Sequence, residues 1–205
     1  MKEQKDPSDS ELLQAMLAGD ESALATLYRR RQGSVYRFAL QMSGSTALAE
    51  DVTQDVFMAL MRSGNSYDSD RGPLAWFLLG IARNVLRQRL GRERFYTSLA
   101  DDAGGSSGAS ELVSVSDPLG ELSRNETIEG VRKAVLSLPT RYREVVVLCE
   151  LQELSYAEAA GVLGCAIGTV RSRLHRARGL LIGKLRPAIQ EDEAADHVKA
   201  ARCFA

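Results

Sequence analysis

The side chains with the clearest chemistry are the arginines within Leu154 to Arg178, LSYAEAAGVLGCAIGTVRSRLHRAR. A guanidinium group is a planar fork of donors that can bind guanine edges or phosphates. Arg171, Arg173 and Arg176 fall largely outside a stripe of apolar residues, and no acidic residue interrupts them. The stretch therefore predicts a basic helix able to enter the major groove of duplex DNA.

Two short helices around a turn are expected to position these arginines. Ser155 with Glu158 forms a capping box that starts the first helix, and Gly164 ends it. The second helix is expected to begin near Gly168 or Thr169. Its inward face is formed by Val170, Leu174 and Ala177. This pattern is typical of a helix-turn-helix, although an amphipathic helical pair with a solvated basic face would also fit.

A second polar pattern lies on the helix expected over residues 47–62. Asp51, Gln54, Asp55 and Met58 are three or four residues apart, and so share one face. Such a stripe fits either an ordinary solvated surface or a docking face for a basic or mixed partner helix.

A third pattern combines aromatic residues with arginines. The turn-rich segment 64–72 precedes a helix expected over 74–92, whose first turn contains Trp76 and Phe77. The later part of that helix and the residues just after it are basic, with Arg83, Arg87, Arg89, Arg92 and Arg94. Aromatic rings can stack on bases while arginines hold phosphates. This combination favours binding to single-stranded or melted nucleic acid. A core helix whose arginines complement the helix dipole is the alternative.

Catalytic and metal-binding patterns are weak. The two histidines, His175 and His197, have no cysteine or carboxylate at ligand spacing within one element. No glycine-rich phosphate loop occurs. We therefore expect no enzyme, no metal site and no cofactor, with a tail site at His197 and Cys203 as the remaining alternative.

The bulk composition is that of an ordinary globular protein. The chain has 205 residues, of which 44% are hydrophobic and 26% charged, and its formal net charge is −1. Nucleic-acid binding must then come from local basic patches. The three cysteines lack paired spacing, and the sequence shows no signal segment and no apolar run near about 20 residues. These features predict a cytoplasmic protein without membrane insertion.

Apolar residues recur at helical spacing along most of the chain, and strand patterns are lacking. The sequence predicts an all-α fold of two small helical domains, over 9–95 and 121–186, the second containing the helix-turn-helix. A segment rich in glycine, serine and aspartate predicts a flexible linker over 96–120. In the second domain we expect Thr140 to cap a helix, and Pro187 to end the basic helix before a tail over 187–205.

Four motifs, in this order, resemble the sigma-70 family of bacterial transcription initiation factors, specifically its extracytoplasmic-function (ECF) subgroup. They are AEDVTQDVF over 49–57, GIARN over 80–84, LSLPTRYREVVVL over 136–148 and GTVRSRLHRAR over 168–178. The resemblance covers about 9–94 and 121–186. It implies a subunit that binds core RNA polymerase and directs promoter recognition and DNA melting.

The resemblance also implies three contact surfaces. The docking surface for the clamp helices of the polymerase β′ subunit would comprise Asp51, Gln54, Asp55, Phe57 and Met58. The surface for the melting −10 element would comprise Tyr67, Asp68, Arg71, Arg83, Asn84 and Arg87. The surface for the duplex −35 element would comprise Thr169, Arg171, Ser172, Arg173, His175 and Arg176. Contacts with the β subunit are implied as well, and many relatives are inhibited by an anti-sigma factor.

Two questions stay open at this point. Family members usually carry an aromatic residue seven positions before the asparagine that Asn84 matches; Phe77 stands there, but Trp76 precedes it, so either ring could be the buried one. The alternative function is an operator-binding helix-turn-helix regulator that is not a polymerase subunit. Such a regulator would bind duplex DNA tightly by itself, whereas a sigma factor needs polymerase to space its two DNA contacts.

Overall fold

The computed structural model describes the backbone of residues 6–101 and 121–202, and the side chains of residues 6–91 and 128–185. Eight α-helices and no β-strand occur in that part of the chain. The helices are α1 (Asp9–Leu17), α2 (Glu21–Ser43), α3 (Thr46–Ser63), α4 (Leu74–Asp101), α5 (Glu121–Leu136), α6 (Thr140–Val146), α7 (Tyr156–Leu163) and α8 (Ile167–Arg202). The predicted all-α fold is confirmed.

Helices α1 to α4 form the first bundle, and side-chain caps fix where its helices begin. Ser8 and Glu11 make a capping box at α1, Asp20 accepts from two amides at the start of α2, and Ser45 caps α3. Apolar residues of all four helices are buried between them, including Leu13, Leu27, Phe38, Val52, Leu60, Leu78 and Leu86. This core sets α3 and α4 side by side with their polar faces outward.

Helices α5 to α8 form the second bundle. Val145, Val147 and Leu148 are fully or almost fully buried at its centre. Ser155 and Glu158 make the predicted capping box at α7, and Gly164 closes α7 in the left-handed conformation (φ 64°). Val170, Leu174 and Ala177 of α8 are buried against α6 and α7, as their spacing predicted.

Several helix ends differ from expectation. Thr140 is the first residue of α6, and Pro139 stands at the cap position, where no side chain accepts a hydrogen bond from the first turn. A π-helical turn over Val147–Leu151, which no simple periodicity predicts, follows α6. Helix α4 runs to Asp101, into the segment expected to be linker, and 102–120 lie outside the described residues. Helix α8 continues past Pro187 to Arg202, although an interior proline removes one hydrogen bond and its ring crowds the carbonyl four residues earlier.

The two bundles pack against each other in this structure. Helix α4 lies against α7, and the C-terminal part of α2 lies against α5 and the π-helical turn. Two polar contacts join them near the end of α2: the Arg143 guanidinium donates to the Met42 carbonyl at 2.6 Å, and the Gln152 amide donates to Gln41 Oε1 at 2.9 Å. The buried apolar residues of both bundles consequently form one connected core.

Candidate docking face and nucleic-acid interface

The predicted docking residues of α3 are mostly at the surface. Asp51 and Met58 are well exposed, with 59% of the Asp51 side chain and 53% of Met58 accessible, and Gln54 is exposed between them. Asp55 is partly covered. Helix α3 presents this face because Val52, Val56 and Leu60 occupy the opposite side and are buried.

An open apolar groove of about 510 Å³ runs along this face between α2 and α3. Its lining residues are Glu21, Leu24, Ala25, Tyr28, Arg29, Gln54, Phe57, Met58 and Met61. Met58 and Met61 are each 53% exposed, and methionine adapts readily to differently shaped partners. The groove is therefore suited to an apolar helix face.

Phe57 differs from the expected surface position. It is only 4% exposed, and its ring packs edge-on against Tyr28 with 4.7 Å between the ring centroids. Phe57 lies one turn from buried Thr53 on the inward side of α3. The helical spacing of these two residues was therefore the sequence signal that Phe57 is buried. It shapes the floor of the groove.

Arg89 of α4 binds both acidic residues of the docking face. Its Nη2 lies 2.6 Å from Asp55 Oδ2, and its Nη1 lies 2.9 Å from Asp51 Oδ2. The hydrogen bond with Asp55 is the main reason that the pKa of Arg89 is raised above its ordinary value. Sequence analysis placed Arg89 with the arginines that hold phosphates. It missed this pairing because Asp55 and Asp51 lie 34 and 38 residues earlier, on another helix.

The loop before α4 is organised by its own polar groups. The Tyr67 hydroxyl donates to the Gly72 carbonyl at 3.0 Å, and the Asp68 carboxylate accepts from the Asp70 amide at 3.0 Å. The Tyr67 ring packs at 5.6 Å from the Phe77 ring. Trp76 and Phe77 are both half-buried, so neither ring alone fills the core position that the sequence left open.

The residues predicted for the −10 element divide into two groups. Asp68, Arg71, Asn84 and Arg87 are exposed, and Tyr67 is half-buried. Arg83 is largely covered: its Nε lies 2.8 Å from Glu144 Oε1 of α6, with side-chain exposures of 14% and 4%. The structure thus directs Arg83 into the interface between the bundles, away from Asn84 and Arg87.

The predicted −35 residues lie along the N-terminal half of α8. Arg171, Ser172, His175 and Arg176 are exposed, whereas Thr169 and Arg173 are half-buried. The Ser172 hydroxyl donates to the Thr169 carbonyl at 3.1 Å, within the helix. Helix α7 crosses behind this face, as in a helix-turn-helix.

Side chains from neighbouring helices hold two arginines of this face. The Arg171 guanidinium lies 5.9 Å from the centre of the Tyr156 ring. Arg176 binds the Tyr142 hydroxyl, which is the main reason that the pKa of Tyr142 is lowered. Sequence analysis missed Tyr142 because it belongs to another helix.

Arg178, at the end of this basic stretch, pairs with Glu150 at 2.5 Å. That bond is the main reason that the pKa of Arg178 is raised. Glu150 was also missed, since nothing in the sequence relates an acid of the π-helical turn to α8.

Among the side chains that the structure describes, no three histidines, cysteines or acids are placed to hold a metal ion. His197 and Cys203, the alternative tail site, lie outside those side chains. In the described ranges no helix is both long and apolar enough to cross a membrane.

Comparisons with known proteins agree with this arrangement. Residues 27–96 match the family model of sigma-70 region 2, and residues 128–181 match that of sigma-70 region 4. The first contains the docking face and the −10 candidates, and the second contains the helix-turn-helix.

Relatives align over most of the chain. ECF RNA polymerase sigma factor SigE of Mycolicibacterium smegmatis is 34% identical over 183 residues, covering 84% of this chain and 67% of the relative. ECF RNA polymerase sigma factor SigM of Mycobacterium tuberculosis is 33% identical over 174 residues, covering 85% of this chain and 83% of the relative.

Two solved structures show the same fold. Sigma factor RpoE of Bartonella quintana, co-crystallised with the anti-sigma factor NepR, superposes with a TM-score of 0.64 at 26% identity, covering 79% of this chain and 96% of that chain. CnrH, in complex with the cytosolic domain of CnrY, has a TM-score of 0.64 at 28% identity, covering 88% and 99%. The chain belongs to the sigma-70 family of RNA polymerase sigma factors and is a member of its ECF group.

Proposed function

We propose that this sigma factor uses three surfaces to direct promoter-specific initiation. The α3 face binds core RNA polymerase, the loop at 67–71 with α4 binds the melted −10 element, and α8 binds the duplex −35 element. The protein works in the cytoplasm as a non-catalytic subunit, so binding energy for DNA and polymerase drives promoter opening. An anti-sigma factor is a further proposed partner, since RpoE of Bartonella quintana was co-crystallised with the anti-sigma factor NepR.

The observation that carries this proposal is the combination of groove and charge on α3. Met58 and Met61 border an apolar groove, and Asp51 and Asp55 lie beside it. A partner helix that buries apolar residues in the groove while placing basic residues near the carboxylates would match both features. The family resemblance assigns that helix to the β′ clamp.

Arg89 gives the docking face a second role. Because it binds both carboxylates from α4, it fixes α4 relative to α3. Polymerase bound to α3 would therefore also orient the exposed Asn84 and Arg87, which lie on the same helix as Arg89. This coupling would bring the −10 residues to the strand that polymerase opens.

The two DNA surfaces differ in the chemistry they offer. Around 67–77 aromatic rings and a loop stabilised by its own hydrogen bonds suit unstacked bases, and Arg71 and Arg87 are exposed to hold phosphates. On α8 the exposed Arg171, His175 and Arg176 provide donors suited to the major groove. Melted and duplex recognition are thus assigned to different bundles.

The test is a pull-down with bacterial core RNA polymerase and a promoter-opening assay. Wild type is expected to bind core and melt promoter DNA, and an Asp51→Ala, Asp55→Ala double variant to lose core binding. Glu50→Ala removes a neighbouring exposed acid of α3 and serves as the matched control.

Because the double variant also leaves Arg89 unpaired, Arg89→Gln separates the two effects. If the acids act by contacting polymerase, Arg89→Gln retains core binding. Wild type that ignores core but binds duplex DNA tightly by itself would identify an operator-binding regulator instead.

A further inference from the structure

We infer that Met58 and Met61 form an oxidation site on the docking face. In the free chain a peroxide converts both thioethers to sulfoxides, and the oxidised groove then binds core polymerase weakly. The inference rests on the proposed function of the α3 face and adds a regulation of that face by two-electron oxidants. The surface concerned is the apolar groove between α2 and α3.

The methionines of the chain differ sharply in accessibility. Met58 and Met61 are each 53% exposed. Met16 and Met42 are 9% and 3% exposed, because they pack in the core of the first bundle. Met1 lies outside the described side chains. An oxidant has to reach the sulfur, so in the described part of the chain it meets the two methionines of the docking face before the two of the core.

Both exposed methionines belong to the surface that a partner would cover. They are three residues apart and so lie about one turn from each other along α3. The groove that they line has a volume of about 510 Å³, and the paired rings of Phe57 and Tyr28 contribute to its wall. A change in the polarity of the two methionines therefore changes the surface that an apolar helix has to bury.

The oxidation balances with hydrogen peroxide as the oxidant. The thioether sulfur attacks one peroxide oxygen, so that an S–O bond forms and the O–O bond breaks. Sulfur loses two electrons, and the proton of the attacked oxygen moves to the other oxygen, which leaves as water. Methionine sulfoxide reductases reverse the change: two thiols become a disulfide, and the sulfoxide oxygen leaves as water.

A sulfoxide alters what the groove can bind. It is polar, and its oxygen accepts hydrogen bonds much more strongly than a thioether sulfur does. An apolar helix face offers no donor, so docking would bury that oxygen without a partner. Because the two sulfoxides are about one turn apart, a single partner helix would have to bury both. Oxidation is therefore expected to weaken core binding, and reduction to restore it.

The described cysteines are poorer targets for the same oxidant. Cys149 and Cys165 are both half-buried and belong to the second bundle. Burial is the main reason that the pKa of the Cys149 thiol is raised, which leaves less of the reactive thiolate at neutral pH. Cys203 lies outside the described side chains. Dithiothreitol reverses disulfides and sulfenic acids but leaves sulfoxides in place, so the two kinds of oxidation can be separated.

The experiment treats the full-length chain with hydrogen peroxide, then with dithiothreitol, and titrates it with bacterial core RNA polymerase. Peptide mass spectrometry measures the sulfoxide fraction at each methionine, and circular dichroism verifies the helical fold. We expect Met58 and Met61 to be oxidised before Met16 and Met42. Core affinity should fall at least about tenfold, the loss expected when a buried acceptor has no donor. Methionine sulfoxide reductases A and B should restore it.

The double variant Met58→Leu, Met61→Leu keeps apolar side chains and removes both sulfurs. Each protein is compared with its own untreated sample, so a change in basal affinity does not enter. Peroxide should leave the core affinity of the double variant unchanged. Met16→Leu is the matched control, because it removes a buried methionine of the same bundle, and it should stay as sensitive as wild type. In a complex formed before peroxide is added, Met58 and Met61 should be protected.

Three results would each overturn the inference: equal oxidation of buried and exposed methionines, oxidised wild type that binds core as before, or equal sensitivity of the double leucine variant. The proposed function fails in a different way. Untreated wild type that does not bind core would refute the docking face itself, and the oxidation site with it.

Discussion

Gly72 is the residue at which a single methyl group should do the most damage to the −10 surface. It has φ 132° and ψ 177°, a combination available essentially only to glycine. A Cβ on Gly72 would lie 2.3 Å from Trp76 Cε3 and 2.4 Å from Cζ3. The Gly72 carbonyl also accepts the Tyr67 hydroxyl, so a shift here moves the loop.

The cost of Gly72→Ala has two parts. Backbone strain contributes about 1–3 kcal/mol, and forcing the Trp76 ring aside contributes about 1–3 kcal/mol more. Because Trp76 is half-buried and can move, we expect a loss near the lower half of the summed range, about 3 kcal/mol.

Urea denaturation followed by the fluorescence of Trp76, the one tryptophan of the chain, measures the free energy of unfolding. Gly80→Ala is the control: Gly80 lies within α4, an added Cβ meets nothing within 4 Å, and alanine should stabilise the helix by up to about 1 kcal/mol. A loss below about 1 kcal/mol for Gly72→Ala would refute this account of backbone strain at the loop.

Three further outcomes are expected in the second bundle. Ser155→Ala should lower the free energy of unfolding by about 1 kcal/mol in urea denaturation, because the cap of α7 is lost; an unchanged value would contradict the capping role. Glu150→Gln should tighten duplex DNA binding in anisotropy, since Arg178 loses its acidic partner, and weaker binding would count against this. In ultraviolet titrations corrected with Tyr142→Phe, the Tyr142 phenol should ionise below its ordinary pKa of 10.0, and Arg176→Gln should move that pKa upward; no shift would disprove the contact.

The local signals in the sequence were sufficient for most of the fold. The Ser155–Glu158 capping box and Gly164 predicted where α7 begins and ends, because caps act within one turn of helix. The spacing of Val170 and Leu174 likewise gave the inward face of α8. The π-helical turn at Val147–Leu151 was not predicted, since its wider winding breaks the ordinary helical period inside an apolar run.

The candidate sites were less predictable, because the partner of a polar side chain depends on tertiary packing. Arg83 and Arg89 look alike in the sequence, yet one pairs with Glu144 of the second bundle and the other with Asp51 and Asp55 of α3. Neither pairing has a signal at fixed spacing. The division of the arginines into ion-paired and exposed groups therefore required the structure.

The central claim is that the first bundle binds the melted −10 element while α8 binds the −35 element. Photo-crosslinking tests it directly, with a photoreactive side chain at Asn84 or at His175, both exposed, in a promoter complex with core polymerase. The account predicts crosslinks from position 84 to the melted, single-stranded −10 element and from position 175 to the duplex −35 element. Crosslinks from both positions to one element, or from position 84 to intact duplex alone, would contradict it.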